Sequence, residues 1–167
     1  MTHVALSLGA NQGNRVSTLR KAIEALLDSH VLTEIRTSSL YETDPVGGPQ
    51  QDLYLNMVVT GATSLEPHNL LRAIANIEQQ YGRVRDVRWG PRTLDIDILC
   101  YGTLVLNEPD LQIPHPRAHE RGFVLVPWAE VDEEGFLAQY GTVRECLSKV
   151  ATDGVRLFST FTMNAKE

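Results

Sequence analysis

The chain has 167 residues, of which 15 are Lys or Arg and 21 are Asp or Glu, so its formal net charge is −6. This length predicts a single domain over residues 1–167 with a sizeable core, and no apolar run approaches the roughly 18 residues of a membrane span. The acidic balance argues against a protein that tracks a nucleic-acid backbone, which needs an extended positive face. We therefore expect small-molecule ligands, with neither nucleic acid nor a membrane as partner.

The N-terminal residues lack the basic segment and cleavage site of a signal peptide, which predicts a cytoplasmic protein. The two cysteines, Cys100 and Cys146, have neither C-x-x-C spacing nor a neighbouring histidine cluster. We expect them to be buried, reduced thiols rather than a disulfide or a metal site, and we expect the chain to be a monomer.

Apolar spacing and turn residues predict the order βαββαβ up to about residue 102. Strands are predicted over residues 3–8, 31–43, 54–61 and 93–101. Apolar stripes indicate two helices, through Leu19, Ala22, Ile23, Leu26 and Leu27 and through Leu70, Ile74, Ile77 and Tyr81. This order is typical of the ferredoxin-like α+β fold, in which an antiparallel sheet is covered by two helices on one face.

The C-terminal third is less regular. Helices are predicted over residues 117–131 and 142–150, and the rest is expected as loops or short strands. We expect part of this region to pack against the other face of the sheet.

The most informative segment runs from residue 83 to residue 97, where arginines precede an Asp-x-Asp pair. Guanidinium groups match phosphate oxygens, and paired carboxylates bind Mg²⁺, which is often shared with substrate phosphates. The segment therefore predicts a site for a Mg²⁺-nucleotide. The alternative for the arginines is a solvated helix C-terminus, which suits Arg83 better than Arg92. Four of them lie within ten positions: Arg83, Arg85, Arg88 and Arg92.

Side-chain alternation on the fourth predicted strand places Asp95 and Asp97 on one face. Residues two apart on a strand are about 6.6–7 Å apart, so the two carboxylates can share one cation or bracket a pair. Leu99 is predicted on the same face, and the opposite face is predicted to carry Leu94, Ile96, Ile98 and Cys100. The alternative is a solvated polar face of an edge strand.

Aromatic and amide side chains suggest a pocket for a flat heterocycle. Tyr54 and Asn56 share one strand face, and Phe123 follows Arg121 and a glycine. Two aromatic rings can sandwich a heterocycle while an amide pairs with its hydrogen-bonding edge. The alternative for each ring is an ordinary place in the core, and Trp89 could equally stack on a base or cover its loop.

Sequence blocks in chain order resemble the 6-hydroxymethyl-7,8-dihydropterin pyrophosphokinase family of folate-pathway enzymes. The resemblance runs along nearly the whole chain, and its Arg-Thr-Leu-Asp-x-Asp block is highly specific. The blocks are Leu8-Gly-Ala-Asn11, Tyr41-Glu-Thr-Asp-Pro45, Tyr54-Leu-Asn56, Arg88-Trp-Gly-Pro-Arg-Thr-Leu-Asp-Ile-Asp97 and Pro114-His-Pro-Arg-x-x-x-Arg-Gly-Phe123.

The resemblance implies transfer of pyrophosphate from ATP to the hydroxymethyl oxygen of the pterin, with AMP leaving. It implies two Mg²⁺ ions held by Asp95 and Asp97. It implies phosphate contacts from Arg83 and Arg92, with Arg85 and Trp89 closing over the site. On the ATP side it places Glu78, Ile98, His115 and Arg121. In the pterin pocket it places Gly9, Asn11, Thr43, Pro45, Val46, Tyr54, Asn56 and Phe123, with Tyr54 and Phe123 as the sandwich.

Two positions depart from the family pattern. Ala10 stands where the family often has Ser, and Pro116 stands where some members have Tyr. A side-chain hydroxyl contact to ATP is therefore not expected at position 116, while the chemistry itself is unaffected.

Two other classes of protein are compatible with parts of the pattern. A Mg²⁺-dependent nucleotide hydrolase or nuclease could use the same carboxylates and arginines without a pterin. A ferredoxin-like nucleic-acid-binding module would need exposed aromatic and basic residues on its central strands, whereas aromatic residues make up 7% of this acidic chain.

Overall fold

A computed structural model describes residues 1–44, 53–82 and 94–163. The elements follow the order β1 (Thr2–Ala10), α1 (Arg15–Asp28), β2 (Thr33–Thr37), β3 (Leu40–Thr43), β4 (Tyr54–Thr63), α2 (Pro67–Gly82), β5 (Asp95–Tyr101), β6 (Leu106–Asn107), β7 (Gln112–Ile113), a 3-10 turn (Ala118–Glu120), α3 (Gly122–Asp132), β8 (Phe136–Leu137), β9 (Gly141–Thr142), α4 (Val143–Leu147) and β10 (Val155–Ser159).

The main sheet is antiparallel and has the order β10-β3-β4-β1-β5, with β2 also paired to β4. The predicted ferredoxin-like order is confirmed through β5. Strand β1 lies between β4 and β5, so the first and the last strand of the predicted βαββαβ order are neighbours. This central position of β1 determines which side chains meet at the site.

The second predicted strand, over residues 31–43, is two strands that pair with successive stretches of β4. Thr37 pairs with Val59, and Tyr41 pairs with Asn56. Between them the Ser38 hydroxyl accepts the N–H of Val58 at 2.9 Å, so a side chain replaces a backbone acceptor there. The strand is interrupted at Ser38, where this cross-strand bond to a side chain takes a place in the sheet ladder.

Helices α1 and α2 cover one face of the sheet and enclose the larger core. The α1 stripe is confirmed, with four of its five predicted residues fully buried and Leu27 partly buried. Leu6 and Leu8 of β1 and Ile96 and Ile98 of β5 point into this core. Burying a leucine or isoleucine in this way contributes roughly 1.5–3 kcal/mol per side chain.

Helices α3 and α4 of the C-terminal third cover the opposite face. Trp128 is the largest fully buried side chain of this second core, which also contains Val58 and Leu99. The predicted helix over residues 117–131 is a 3-10 turn followed by α3, and the one over 142–150 is shortened to α4, Val143–Leu147. The capping box of Thr142 and Glu145 fixes where α4 begins.

The predicted facing of Cys100 is wrong. The pairing of β1 with β5 shifts between Ala5 and Leu6, whose partners are Cys100 and Ile98, so Leu99 is an extra residue in β5. A bulge of this kind ends the simple alternation of side chains. Cys100 therefore packs beside Leu99 in the second core instead of beside Ile98.

Strand β10 was not predicted as a member of the main sheet. It lies at the sheet edge beside β3, and Leu157 and Phe158 are exposed there. Because two successive exposed apolar residues break the alternation of apolar and polar side chains, sequence periodicity does not identify this edge strand.

Both cysteines are free and buried, as expected. Across residues 1–44, 53–82 and 94–163, no helix combines the length and apolar character needed to cross a bilayer.

Candidate active site

A row of side-by-side residues crosses the sheet at the centre of the site. Gly9 pairs with Asn56 on one side and with Asp95 on the other, and Ser7 pairs with Asp97. Residues opposite one another in a sheet point to the same face, so the amide and the carboxylates emerge together. The row faces away from α1 and α2, because Leu8 and Ile96 point into the core beneath those helices.

Gly9 is the low point of this row. A Cβ atom at Gly9 would lie 2.8 Å from the Asn56 side-chain oxygen, so no other residue fits without moving that amide. The missing side chain leaves room between Asn56 and Asp95 for a flat ligand.

A first cavity of about 190 Å³ opens over this row. Drug-sized ligands usually occupy pockets of roughly 300–1,000 Å³, so this one suits a small heterocycle. Its wall contains the predicted residues Gly9, Thr43, Tyr54, Asn56, Asp95, Asp97 and Phe123. It also contains Ser7, Leu8, Asp44 and Arg121.

The polar wall of the first cavity is preorganised by a bond between Asn56 and Thr43. The Asn56 Nδ2 donates to the Thr43 Oγ1 at 2.6 Å, and Thr43 is buried. Because the Thr43 hydroxyl accepts this bond, its own hydrogen is available to a ligand acceptor, while the Asn56 oxygen is available to a ligand donor.

The two aspartates lie in the wall of the first cavity. Asp95 is half-buried and Asp97 is exposed. Burial, and then the charge of Asp95, raise the pKa of Tyr54, which keeps this hydroxyl protonated beside the carboxylate. Two carboxylates on one strand face form an oxygen donor set that suits a hard cation such as Mg²⁺.

A second cavity of about 250 Å³ lies on the other side of Asp97. Asp97 lines both cavities, so a ligand in each would approach the other at this carboxylate. The wall of the second cavity is formed by Leu71, Ile96, Asp97, Ile98, Pro109, Asp110, Leu111, Gln112, His115 and Pro116.

His115 is arranged as a neutral hydrogen-bond donor. Burial lowers its pKa; the charge of Asp97 opposes this shift, and the charges of Arg121 and Arg117 add to it. The Nδ1 of His115 accepts the N–H of Arg117 at 3.1 Å. In the neutral ring the hydrogen then lies on Nε2, which can donate to a ligand oxygen.

The structure separates the predicted ATP-side residues. Ile98 and His115 line the second cavity, as expected. Arg121 lies in the wall of the first cavity, where its guanidinium carbon is 5.6 Å from the ring centre of Phe123. Glu78 lines neither cavity, and its Oε2 accepts the N–H of Ile96 at 3.2 Å.

Asn11 lies outside both cavity walls. Its side chain is buried, and its Oδ1 has no hydrogen-bond partner within the described part of the chain. The other predicted residues fall outside the described ranges: Pro45, Val46, Arg83, Arg85, Trp89 and Arg92.

Sequence reasoning missed several wall residues. Ser7 lies two positions before Gly9 on the same strand, so alternation in β1 could have identified it. Asp110 and Gln112 belong to the segment around β6 and β7, whose two-residue strands give no recognisable period.

Comparison with known proteins gives a consistent result. A family model described as 7,8-dihydro-6-hydroxymethylpterin-pyrophosphokinase matches residues 5–133. A Bacillus subtilis protein named 2-amino-4-hydroxy-6-hydroxymethyldihydropteridine pyrophosphokinase is 45% identical over 135 residues, which cover 80% of this chain and 81% of the relative. A Methylorubrum extorquens protein of the same name is 40% identical over 155 residues, covering 93% and 98%.

Among solved structures, a Plasmodium falciparum HPPK-DHPS protein crystallised with pterin and p-hydroxybenzoate is similar with a TM-score of 0.68. The sequences are 18% identical, and the match covers 89% of this chain and 43% of that one. At this identity the likeness concerns the fold, and it confirms the ferredoxin-like architecture.

Proposed function

Since the chain belongs to the 7,8-dihydro-6-hydroxymethylpterin-pyrophosphokinase family, we propose that its two cavities divide the substrates between them. The chain is a diphosphotransferase of folate biosynthesis, which transfers pyrophosphate from ATP to the hydroxyl of 6-hydroxymethyl-7,8-dihydropterin and releases AMP. The observation that supports the division is that both cavities border Asp97.

The pterin occupies the first cavity in this proposal. Asn56 and Thr43 present an acceptor and a donor to one edge of the ring, held by their mutual bond. Tyr54 and Phe123 are in the same wall and supply the aromatic contacts. Gly9 leaves the floor open, while Asn11, Pro45 and Val46 remain predicted pterin residues.

ATP occupies the second cavity. Ile98 supplies an apolar surface for the base, and the Nε2–H of neutral His115 donates to a nucleotide oxygen. Arg121 faces the first cavity, where it can attract the phosphates toward the pterin. The sequence further predicts nucleotide contacts from Glu78, Arg83, Arg85, Trp89 and Arg92.

Asp95 and Asp97 hold two Mg²⁺ ions in this proposal, and their shared face fits an oxygen-coordinated cation. When bound, Mg²⁺ neutralises phosphate charge and supports both the attacking and the leaving oxygen. The half-buried position of Asp95 and the exposed position of Asp97 allow the pair to reach toward both substrates.

The transfer is a direct in-line displacement. The hydroxymethyl oxygen bonds to the β-phosphorus and releases its proton to solvent. The bond from that phosphorus to the oxygen bridging it to the α-phosphate breaks, so AMP leaves with that oxygen. No covalent enzyme intermediate is needed. Burial raises the pKa of Cys100 to about 12, so this thiol is not an activated nucleophile. The residues act by aligning the substrates and by neutralising charge.

One reaction tests this function against nucleotide hydrolysis. The protein is incubated with Mg²⁺ and ATP, with and without 6-hydroxymethyl-7,8-dihydropterin, and AMP is measured by chromatography. AMP that forms only with both substrates supports pyrophosphoryl transfer. Nucleotide breakdown at the same rate without the pterin contradicts it.

The sequence-based expectations about partners also belong to the proposal. We propose a monomer in the cytoplasm that binds these two small molecules and no nucleic acid. Light scattering during size-exclusion chromatography measures the oligomeric state, and a mass of twice 18.6 kDa would contradict it.

A further inference from the structure

The last turn of α2 contacts the start of β5 at two points. The Glu78 Oε2 accepts the backbone N–H of Ile96 at 3.2 Å. One turn later, a Cβ atom at Gly82 would lie 2.8 Å from the Cβ of Leu94 and 3.1 Å from its backbone nitrogen. We call Glu78, Gly82, Leu94 and Ile96 the α2–β5 clasp.

The hydrogen bond of the clasp lies between the two aspartates. The N–H of Ile96 belongs to the peptide group that joins Asp95 to Ile96, and Asp97 follows directly. Strand β5 is at the end of the main sheet, with β1 on its other side. In an antiparallel pair, successive N–H groups point alternately toward and away from the partner strand. The Glu78 carboxylate therefore bonds the edge of β5 that faces away from β1.

The clasp is rigid because its surroundings are packed. Leu94 is 1% exposed and Ile96 is 5% exposed, and both belong to the core under α1 and α2. A buried backbone N–H needs an acceptor, and a charged acceptor makes a stronger bond than a neutral one. Gly82 brings the helix backbone so close to Leu94 that a methyl group at position 82 would displace Leu94.

We propose that the α2–β5 clasp positions the Asp95–Asp97 pair for its cation, and that Glu78 is a positioning residue. The inference rests on the proposed function, in which these aspartates hold Mg²⁺. It gives Glu78 a role different from the nucleotide contact that the family resemblance implies. Partners that orient metal ligands without touching the metal commonly change metal affinity roughly 10–100-fold when removed.

The test compares Glu78→Ala, Glu78→Gln and a control, Gln79→Ala, which changes the neighbouring exposed position of α2. Mn²⁺ is the probe, and its binding to the full chain is followed by electron paramagnetic resonance without nucleotide. We expect Glu78→Ala to weaken Mn²⁺ binding by roughly 10-fold or more. Glu78→Gln keeps an acceptor for Ile96, so we expect it to lie much closer to wild type. Gln79→Ala should match wild type.

Two further measurements separate positioning from a general loss of structure. Hydrogen exchange of the Ile96 amide should accelerate in Glu78→Ala and stay slow in Glu78→Gln. Gly82→Ala leaves Glu78 in place but displaces Leu94, so it should also weaken Mn²⁺ binding. If Glu78→Ala does not fold, the other two variants still test the positioning role: Gly82→Ala should bind Mn²⁺ more weakly than wild type, and Glu78→Gln should bind it nearly as well.

The outcomes separate this inference from the proposed function. If Glu78→Ala and Gly82→Ala bind Mn²⁺ like wild type, the clasp does not position the aspartates. The inference also fails if Glu78→Ala raises the KM for ATP alone, because Glu78 would then contact the nucleotide. If Asp97→Asn binds Mn²⁺ as tightly as wild type, the proposed metal role of the aspartates is wrong, whatever the clasp variants show.

Discussion

At the scale of single residues, the site depends on what Gly9 leaves out. Its neighbours across the sheet, Asn56 and Asp95, carry the amide and one carboxylate, and a side chain between them would fill the floor of the cavity. In the proposed function, the residues for substrate recognition and those for metal binding thus lie on either side of β1. Adjacent strands in a sheet lie about 4.7–4.9 Å apart, so Asn56 of β4 and Asp95 of β5, with β1 between them, are roughly 9.4–9.8 Å apart.

The first prediction concerns the two carboxylates. Asp95→Ala and Asp97→Ala should each lower turnover at least about a thousandfold, because metal-borne charge stabilisation amounts to several kcal/mol and each 1.4 kcal/mol or so is tenfold. The fold should persist, since removing one of two like charges relieves repulsion in the metal-free protein. Steady-state kinetics at saturating Mg²⁺ measures the effect, with Asp132→Ala as control. Wild-type turnover in both variants would exclude the metal role.

The second prediction concerns pH and His115. The pKa of His115 is lower in the folded protein than its ordinary value of about 6.5. Below pH 6.5 the unfolded chain therefore binds a proton at this residue more readily than the folded chain does. Stability should therefore fall as pH drops below about 6.5, and His115→Gln should remove this part of the loss. Urea unfolding at pH 7.5 and 5.5 compares the two proteins, and nuclear magnetic resonance of the imidazole gives the pKa directly. An imidazole that titrates above 6.5 would contradict the prediction.

At the scale of elements, α3 is joined to the chain between β2 and β3 through one carboxylate. Glu130 accepts bonds from the backbone N–H and the hydroxyl of Ser39 and from the Tyr41 hydroxyl, at 2.5 to 3.1 Å. Burial first, and then Glu130, raise the pKa of Tyr41. This contact holds α3 against β3, whose last residue, Thr43, contacts Asn56.

The third prediction tests this contact. Glu130→Ala should lower the free energy of unfolding by about 1–2 kcal/mol, because it leaves the buried Ser39 donor without its acceptor. The loss should not be larger, because Glu130 itself is exposed to water. The control is Glu133→Ala, whose ion pair with Arg144 is exposed and screened by water, so its loss should cost much less unfolding free energy. Denaturant unfolding gives both values. The Tyr41 pKa should also fall in Glu130→Ala, and equal losses in both variants would count against the contact.

At the scale of the whole molecule, the sheet separates two cores and carries the first cavity along one face. The larger core lies under α1 and α2 and the smaller one under α3 and α4. Gly82 and Leu94, which flank residues 83–93, are in contact. Within the described residues, this contact holds the end of α2 beside the residue that precedes β5.

The fourth prediction concerns a deletion between α2 and β5. Deleting residues 84–89 removes Arg85 and Trp89, which are predicted to act on the phosphates, but it leaves both cores intact. Thermal unfolding and pterin affinity should stay close to wild type, while turnover falls steeply. A variant with a Gly and Ser segment of the same length controls for chain length. Full activity in the deletion variant would show that these residues only connect α2 to β5.

The sequence alone determined the local chemistry. Alternation along one strand was enough to place Asp95 and Asp97 together, and the α1 stripe identified its buried face, because both patterns depend only on neighbouring residues. The family blocks identified the reaction, and the confirmed family membership supports it. Local periodicity failed where long-range contacts prevail, as at Ser38, where a side chain interrupts the strand, and at Leu99, where a bulge changes the facing of Cys100.

Only the tertiary structure decided how distant residues share the site. The pairing of Gly9 with Asn56 and Asp95 depends on strand register, which is set by packing across the whole sheet. Arg121 directly precedes α3, so its place in the wall of the first cavity depends on how α3 packs on the sheet. The bond from Glu78 to Ile96 depends on how α2 lies on β5. These relations join residues far apart in sequence, and no local pattern encodes the distance between them.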